Sequence, residues 1–179
     1  MIKKILLAVA ILLVVFVIVV ALQPSHYRIS RSTTISAMPA DVFAQLNDLH
    51  KFQDWSPWAK LDPEMKQTYE GAASGAGAAY AWEGNKKVGQ GRMSITESKE
   101  NELVSMKLEF IKPFASVATT EFALKTEHNL TSLTWSMSGE NNFIAKAFCL
   151  FMNMDKMVGG DFERGLAQLK EIVEKKAKS

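Results

Sequence analysis

Residues 103–110 read LVSMKLEF, and apolar side chains alternate with polar ones along the whole stretch. The apolar positions, which would share one face of an extended chain, are Val104, Met106, Leu108 and Phe110. A period of two residues is typical of a β-strand that has one face in the core and the other in water. Such strands belong to antiparallel sheets, because parallel strands are usually buried on both faces.

The same period continues on both sides of this strand, from residue 65 to residue 139. Turn-forming stretches interrupt it at GAASGAG (71–77), EGNK (83–86) and His128-Asn129. Six consecutive strands joined by such turns predict an antiparallel meander. One more alternating stretch, YRISRSTTI (27–35), predicts a strand that precedes the meander.

Helical periodicity flanks the meander. Pro39 and the apolar residues after it predict two short helices before residue 56, where Pro57 and Pro63 impose a loop. Residues 143–175 predict one long closing helix with a single apolar stripe. The stripe residues are Phe148, Phe151, Met152, Val158, Phe162, Leu166, Leu169 and Ile172.

Two features stand out within the predicted closing helix. Gly159 and Gly160 each cost about 1 kcal/mol relative to alanine in a helix, so they predict a kink, a break or a close approach of another surface. Cys149 is the single cysteine and cannot form an intramolecular disulfide. Its apolar neighbours predict a buried, inert thiol.

The first segment differs from the rest of the chain. Ile5–Leu22 is an unbroken run of apolar residues, and as a helix it would be about 27 Å long, close to the hydrocarbon thickness of a bilayer. We interpret residues 1–24 as an uncleaved transmembrane signal-anchor and residues 25–179 as one globular domain. A cleaved secretory signal and an interfacial helix are the alternatives.

The positive charges around the apolar run predict its orientation. Lys3 and Lys4 place the N-terminus in the cytoplasm, although Arg28 and Arg31 beyond the run weaken this preference. The expected arrangement is a single-pass membrane protein whose globular domain lies outside the cytoplasm, on the periplasmic side. Without the two lysines the chain has 19 basic and 19 acidic residues, which argues against a nucleic-acid partner.

The motifs for metal, nucleotide and nucleophile chemistry are missing from the sequence. The three histidines, His26, His50 and His128, are far apart, and no cysteine pair exists to complete a zinc motif. The glycine pairs lie within the meander instead of preceding a helix, as a phosphate-binding loop requires. We therefore expect no metal ion and no cofactor.

Several stretches resemble the START-like or SRPBCC superfamily, which includes the polyketide cyclase/dehydratase-like proteins. Ile35, Ala37, Val42 and Phe43 match the start of its first helix, and FQDWSPWAKLDP (52–63) resembles the tryptophan-rich segment of a membrane-anchored bacterial subgroup. YEGAASGAGAAYAWEGN (69–85) and GGDFERGLAQLKEIVE (159–174) resemble its hairpin and closing helix. The resemblance implies an α+β helix-grip fold, in which a curved antiparallel sheet wraps around a long C-terminal helix.

This fold implies a hydrophobic cavity between the sheet and the closing helix, and ten residues are candidates for its walls. They are Trp55, Trp58, Tyr80, Trp82, Met93, Met106, Phe110, Phe122, Trp135 and Met137. The alternative is that these side chains fill an ordinary core. The tryptophans of DWSPW (54–58) could in the same way be a structural plug, a gate for a ligand, or the surroundings of a catalytic Asp54.

Three functions follow from these expectations. The first is a membrane-tethered, non-enzymatic module that binds a hydrophobic or amphipathic, lipid-like molecule. The second is a cyclase/dehydratase-like enzyme with acid–base groups in the cavity, for which the candidates are Asp54, Glu83, Arg92 and Glu109. The third is a solid-core interaction domain of the cell envelope. Arg31 shares the apolar phase of its strand, so it either extends to the sheet edge or anchors an acidic group in the cavity.

Overall fold

The computed structural model describes residues 1–127 and 130–177. In chain order the elements are α1 (Ile2–Ala21), β1 (His26–Ile35), α2 (Pro39–Leu46), α3 (Leu49–Trp55), β2 (Lys66–Gly71), β3 (Ala78–Glu83), β4 (Gln90–Lys99), β5 (Leu103–Lys112), β6 (Ser116–Glu127), β7 (Leu130–Glu140), α4 (Phe143–Cys149) and α5 (Met154–Lys176). This order confirms the predicted strand, the two short helices and the run of six strands. The predicted turn at His128-Asn129 lies outside the described residues.

All seven strands form one antiparallel sheet in the order β1-β7-β6-β5-β4-β3-β2. The stretch LVSMKLEF lies in β5, the central strand, where Met106 pairs with Thr120 of β6 and with Ile95 of β4. The β4–β5 ladder shifts register after Gln90 and after Ile95. Such bulges bend a strand and increase its twist, which helps the sheet to curve around the helices.

The core lies between the apolar face of the sheet and the helices α2, α3 and α5. From the sheet, Met106, Phe122 and Trp135 are buried, and Phe162 and Leu169 of α5 belong to the same hydrophobic cluster. α5 packs mainly on β1, and also contacts α2 and α3. One antiparallel sheet closed by a long C-terminal helix confirms the predicted α+β helix-grip fold.

The closing helix differs from the prediction of one continuous helix over residues 143–175. The chain breaks between α4 and α5, and the side chain of Asn153 caps the start of α5 by accepting a hydrogen bond from the Lys156 amide at 2.9 Å. Gly159 and Gly160 lie inside α5 without interrupting it. Gly159 is a place of close approach, since a Cβ there would overlap the guanidinium of Arg31.

The predicted apolar stripe is correct for α5 and wrong for the residues before it. Phe162, Leu166 and Leu169 are buried, whereas Phe148 and Phe151 are 50% and 79% exposed. Met152 is also exposed, and the thiol of Cys149 is partly exposed instead of buried. The reason is the break after α4, which turns this helix away from the sheet so that none of its residues is buried.

α1 is a helix of 20 residues. Among the described residues it is the one helix that is long and apolar enough to cross a bilayer, which makes it a candidate membrane span. Except for Val20, its side chains are exposed. Its principal contacts are with α4, and the hydrophobic core contains no residue of α1.

Candidate functional site

Five aromatic rings meet between the sheet and α5, and we call them the aromatic cluster: Trp55, Trp58, Phe122, Trp135 and Phe162. The indole of Trp135 lies at its centre. Phe162 stacks on this indole with the ring centroids 4.1 Å apart and the planes at 8°. Trp55 and Trp58 meet it edge to face at 5.5 and 5.8 Å, and Phe122 lies at 5.0 Å. Such ring pairs contribute about 0.5–1.5 kcal/mol each beyond the area they bury.

The stretch DWSPW supplies two of the five rings because α3 ends within it. Trp55 is the last residue of α3, is fully buried, and donates a hydrogen bond from Nε1 to the Gln45 carbonyl at 3.4 Å. Trp58 follows in the loop and is only partly buried. Its Nε1 donates to Oδ2 of Asp161 in α5 at 3.2 Å. Trp55 is therefore part of the core, and Trp58 closes the rim between the loop and the helix.

A small residue lets α5 approach this loop. A Cβ at Gly165 would lie 2.8 Å from Cζ3 of Trp135 and 3.1 Å from Cδ of Pro57. Both distances are shorter than an ordinary van der Waals contact, so a larger residue would push α5 away from the cluster. The glycine thus fixes the distance between the closing helix and the DWSPW loop.

Nine of the ten predicted wall residues lie in two groups. Trp55, Trp58, Phe122 and Trp135 are in the aromatic cluster. A second group, carried by β3, β4 and β5, contains Tyr80, Trp82, Met93, Met106 and Phe110. In it Tyr80 stacks on Trp82 at 5.9 Å, and Trp82 meets Phe110 at 6.3 Å. Met137, on β7, is buried in the core as well.

The polar groups among these apolar side chains are few. Tyr80 is 4% exposed, and burial raises the pKa of its hydroxyl to about 12, so it remains a neutral hydrogen-bond donor at physiological pH. Trp135 is 2% exposed. In the part of the chain that the structure describes, its Nε1 has no hydrogen-bond partner. A buried donor without an acceptor costs about 1–3 kcal/mol.

The rings leave little space at the centre of the aromatic cluster, and two hollows lie elsewhere. One has a volume of about 480 Å³ and is lined by residues of β1, β6 and β7, among them Tyr27 and Gly139. The other, of about 370 Å³, extends along Ala115–Thr119 and shares Thr119 and Ser138–Glu140 with the first. Both are open to solvent, and no residue of the aromatic cluster lines either of them.

The four acid–base candidates lie away from the aromatic cluster. Asp54 and Glu83 are exposed. Arg92 and Glu109 follow the outward phase of their strands, and each pairs with a neighbour: Arg92 with Glu70 at 3.0 Å, and Glu109 with a lysine at 2.7 Å. Among the described residues no group of three histidine, cysteine, aspartate or glutamate side chains could hold a metal ion.

Arg31 has partners that the sequence did not reveal. Its Nε donates to Glu163 at 2.7 Å, and its Nη1 and Nη2 donate to the carboxylate of Asp155 at 3.1 and 3.0 Å. Hydrogen bonding to Asp155 and Glu163 raises the pKa of Arg31, and the bond from Arg31 lowers the pKa of Asp155. The acidic groups that Arg31 binds are thus the protein's own, and they fasten β1 to the first turns of α5.

Phe162 is a site residue that the list of candidate wall residues missed. The helical period places Phe162 in the apolar stripe of the closing helix, but nothing in that period reveals that its ring stacks on a strand residue. The glycine at position 165, one turn away, was the available signal for close contact.

Comparisons with known proteins agree with this architecture. Residues 26–174 match a family model described as "Polyketide cyclase / dehydrase and lipid transport". The solved structure of protein CV1439 from Chromobacterium violaceum is 16% identical with a TM-score of 0.59, covering 85% of this chain and 99% of that one. A search of the curated proteins finds no significant match.

Two further solved structures share the fold. The Aha1 dimer from Colwellia psychrerythraea is 18% identical with a TM-score of 0.57, covering 83% of this chain and 96% of that one. The di-domain ARO/CYC StfQ from the steffimycin biosynthetic pathway is 9% identical with a TM-score of 0.61, covering 87% of this chain and 53% of that one. At these identities the likeness extends to the fold alone.

Proposed function

Because the chain belongs to the polyketide cyclase/dehydrase and lipid transport family, we propose that it is a membrane-tethered module that binds a hydrophobic or amphipathic, lipid-like molecule. The ligand would lie at the aromatic cluster, between the inner face of the sheet and α5. The surroundings suit such a ligand, since the cluster consists of apolar rings and the charged candidates lie outside it.

The observation that carries this proposal is the unpartnered Nε1 of Trp135. A free donor inside an apolar surrounding is an arrangement that fixes the orientation of an amphipathic ligand. A carbonyl or carboxyl oxygen of the ligand would accept this hydrogen bond and remove the cost of a buried, unsatisfied donor. The acyl chain of the ligand would then pack against rings of the aromatic cluster, in place of some of the contacts that these rings make with one another.

Entry of a ligand requires the rings to move, and Trp58 is the residue best placed to do so. It is the partly buried member of the cluster, and it lies in a loop instead of in a helix or strand. One hydrogen bond, to Asp161, connects its indole to α5. In this proposal Trp58 is the gate, and Trp55 remains fixed in the core.

The proposed tether is α1. Its length and composition suit a membrane span, and the lysines at positions 3 and 4 favour an N-terminus inside the cell and a globular domain outside. A fusion of alkaline phosphatase to the C-terminus is expected to be active in bacteria, because that enzyme folds only outside the cytoplasm. An inactive fusion, made in normal amounts, would contradict this orientation.

Native mass spectrometry of residues 24–179 tests the binding function. The fragment retains the whole hydrophobic core. We expect a co-purifying lipid, or a stoichiometric complex with added oleic acid. Trp135→Phe is expected to weaken this complex, whereas Trp82→Phe is the matched control, because Nε1 of Trp82 already donates to the Val88 carbonyl at 3.0 Å. No complex in any preparation would refute the proposal.

A second candidate function is an interaction domain with a solid core. Two observations favour it: the rings fill the centre of the aromatic cluster, and large apolar side chains around α4 are exposed. An enzymatic function stays open through the family's cyclases. It has less support, because Asp54, Glu83, Arg92 and Glu109 do not reach the aromatic cluster. An empty fragment that still captures a protein partner through α4 would favour the interaction domain.

A further inference from the structure

A continuous apolar surface surrounds α4, and we call it the α4 surface. Its central residues are Phe114, Phe143, Ile144, Phe148, Phe151 and Met152, all of them exposed. Phe114, from the β5–β6 connection, approaches Phe148 with the ring centroids 6.0 Å apart. The β5–β6 connection and α4 therefore form one surface.

The α4 surface is expected to be covered by another molecule or by a membrane. α4 has only seven residues and none of them is buried, whereas an isolated helix shorter than about 12 residues is marginal in water. Contiguous exposed apolar side chains of this kind mark a site of interaction with another molecule or with a membrane.

The position of α1 indicates that a membrane covers the α4 surface. α1 makes its main contacts with α4, and Phe16 stacks against Phe151 with the centroids 6.4 Å apart. Phe16 precedes Ala21, the last residue of α1, by five residues, which is about 7.5 Å along the helix axis. If α1 spans a bilayer, Phe151 lies at a depth typical of interfacial helices, about 5–10 Å into the boundary of the acyl chains.

The charged residues near the α4 surface are also consistent with a membrane as its partner. Three lysines lie in or next to the segments that carry this surface: Lys112 ends β5, Lys146 is in α4, and Lys156 is in the first turn of α5. The acidic residue between Phe143 and Met157 is Asp155, and its carboxylate is bound to Arg31. Lysines beside an apolar face attract anionic lipid headgroups.

We propose that the α4 surface inserts into the outer boundary of the membrane that α1 crosses, so that the domain is held on the bilayer at two places. This proposal rests on the proposed tether. It also orients the domain, because the start of α5 at Met154 then lies at the lipid, whereas the end of α5 at Lys176 points away from the membrane. The start of α5, with the Arg31–Asp155 pair, would be the part of the domain nearest to the membrane.

Site-specific fluorescence in the full chain tests the insertion. The chain would carry Cys149→Ser and Phe151→Cys, the new thiol being labelled with nitrobenzoxadiazole, and would be reconstituted into phosphatidylcholine–phosphatidylglycerol vesicles. The control label is placed by Glu171→Cys, an exposed position of α5 about 25 Å along the helix from its start. We expect lipids with a doxyl group near the headgroup to cause a loss of fluorescence at position 151 and none at position 171.

The outcomes separate the insertion from the tether. If alkaline carbonate does not extract the chain but iodide in the water quenches both labels equally, the tether holds and the insertion is refuted. If carbonate extracts the chain, the tether is refuted, and the insertion with it. If the label at position 151 is shielded from both quenchers and chains cross-link through this position, the α4 surface is a contact between copies, which also overturns the proposal.

A second measurement addresses the surface without the tether. The fragment 24–179 is expected to sediment with the same vesicles, and Phe148→Ser/Phe151→Ser is expected to abolish sedimentation. Met38→Ser is the matched control, because Met38 is exposed and lies beside Ser36, which binds Glu174 near the far end of α5. Equal sedimentation of all three proteins, or of none, would contradict the proposal.

Discussion

Phe148 and Phe162 occupy one predicted helical stripe, and the structure assigns them opposite energetic roles. Phe162 is 1% exposed and stacks on Trp135 at 4.1 Å. Its replacement by alanine removes a ring from a packed core and leaves a cavity, at a cost of about 3–5 kcal/mol. Phe148 is 50% exposed, so Phe148→Ala is expected to change the free energy of unfolding in water by no more than about 0.5 kcal/mol.

Urea unfolding of the fragment 24–179, followed by far-ultraviolet circular dichroism, measures both changes. In a thermal melt of the same fragment, a loss of about 3–5 kcal/mol would lower Tm by about 6–20 °C for a domain of this size. The lipid-free fragment is the right sample, because the proposed cover of Phe148 is then missing. Equal losses for the two variants would refute the reasoning, since they would mean that α4 and α5 pack on the sheet as one helix.

Three further predictions concern α5 and the buried tyrosine. A Cβ at Gly165 would lie 2.8 Å from an indole carbon of the aromatic cluster. Gly165→Ala is therefore expected to lower Tm, at a cost of about 1–3 kcal/mol. Gly160→Ala, with its nearest neighbour atom at 3.9 Å, is expected to raise Tm by removing about 1 kcal/mol of helix penalty; the reverse order would contradict the proposed contact. Because the pKa of Asp155 is lowered from 3.8 by Arg31, the stability it contributes is present above pH 3.8 and is lost as pH falls through the lowered value. Arg31→Met should remove this acid-sensitive part from a pH series of thermal melts, and an unchanged pH profile would refute the pairing. The hydroxyl of Tyr80, with a pKa raised to about 12 from 10.0, contributes stability that is lost between pH 10 and 12. In a spectrophotometric titration at alkaline pH, the tyrosine that ionises at the highest pH should be missing from Tyr80→Phe. An unchanged titration would contradict the burial of the Tyr80 hydroxyl.

The sheet could be predicted from the sequence because its signal is local. In LVSMKLEF the alternation of apolar and polar residues can be recognised without knowing the partner strands. The stretch lies in the central strand, which has one face in the hydrophobic core. The closing helix was harder to predict from the sequence. The steps of three and four at Phe148 and Phe151 show that these residues share a face, but they do not show which neighbour covers that face.

The contacts that build the candidate site were beyond the sequence for a related reason. Trp135 and Phe162 meet across 27 positions of the chain, and Arg31 meets Asp155 across 124. The phase of Arg31 in β1 indicated an unusual charged residue without identifying its partners. Which buried donor lacks an acceptor, as Nε1 of Trp135 does, depends on the orientation of each indole, and no periodicity encodes that.

Two-dimensional ¹H–¹⁵N NMR of the indole groups tests the central claim, which is that the aromatic cluster binds a lipid-like molecule through Trp135. The fragment 24–179, titrated with oleic acid, would be observed at its four tryptophan Nε1–H signals. We predict that the Trp135 signal moves saturably downfield as its donor gains an acceptor, with Trp58 shifting as the gate opens and Trp82 unchanged. A Trp135 signal that stays in place at every oleic acid concentration would contradict the account.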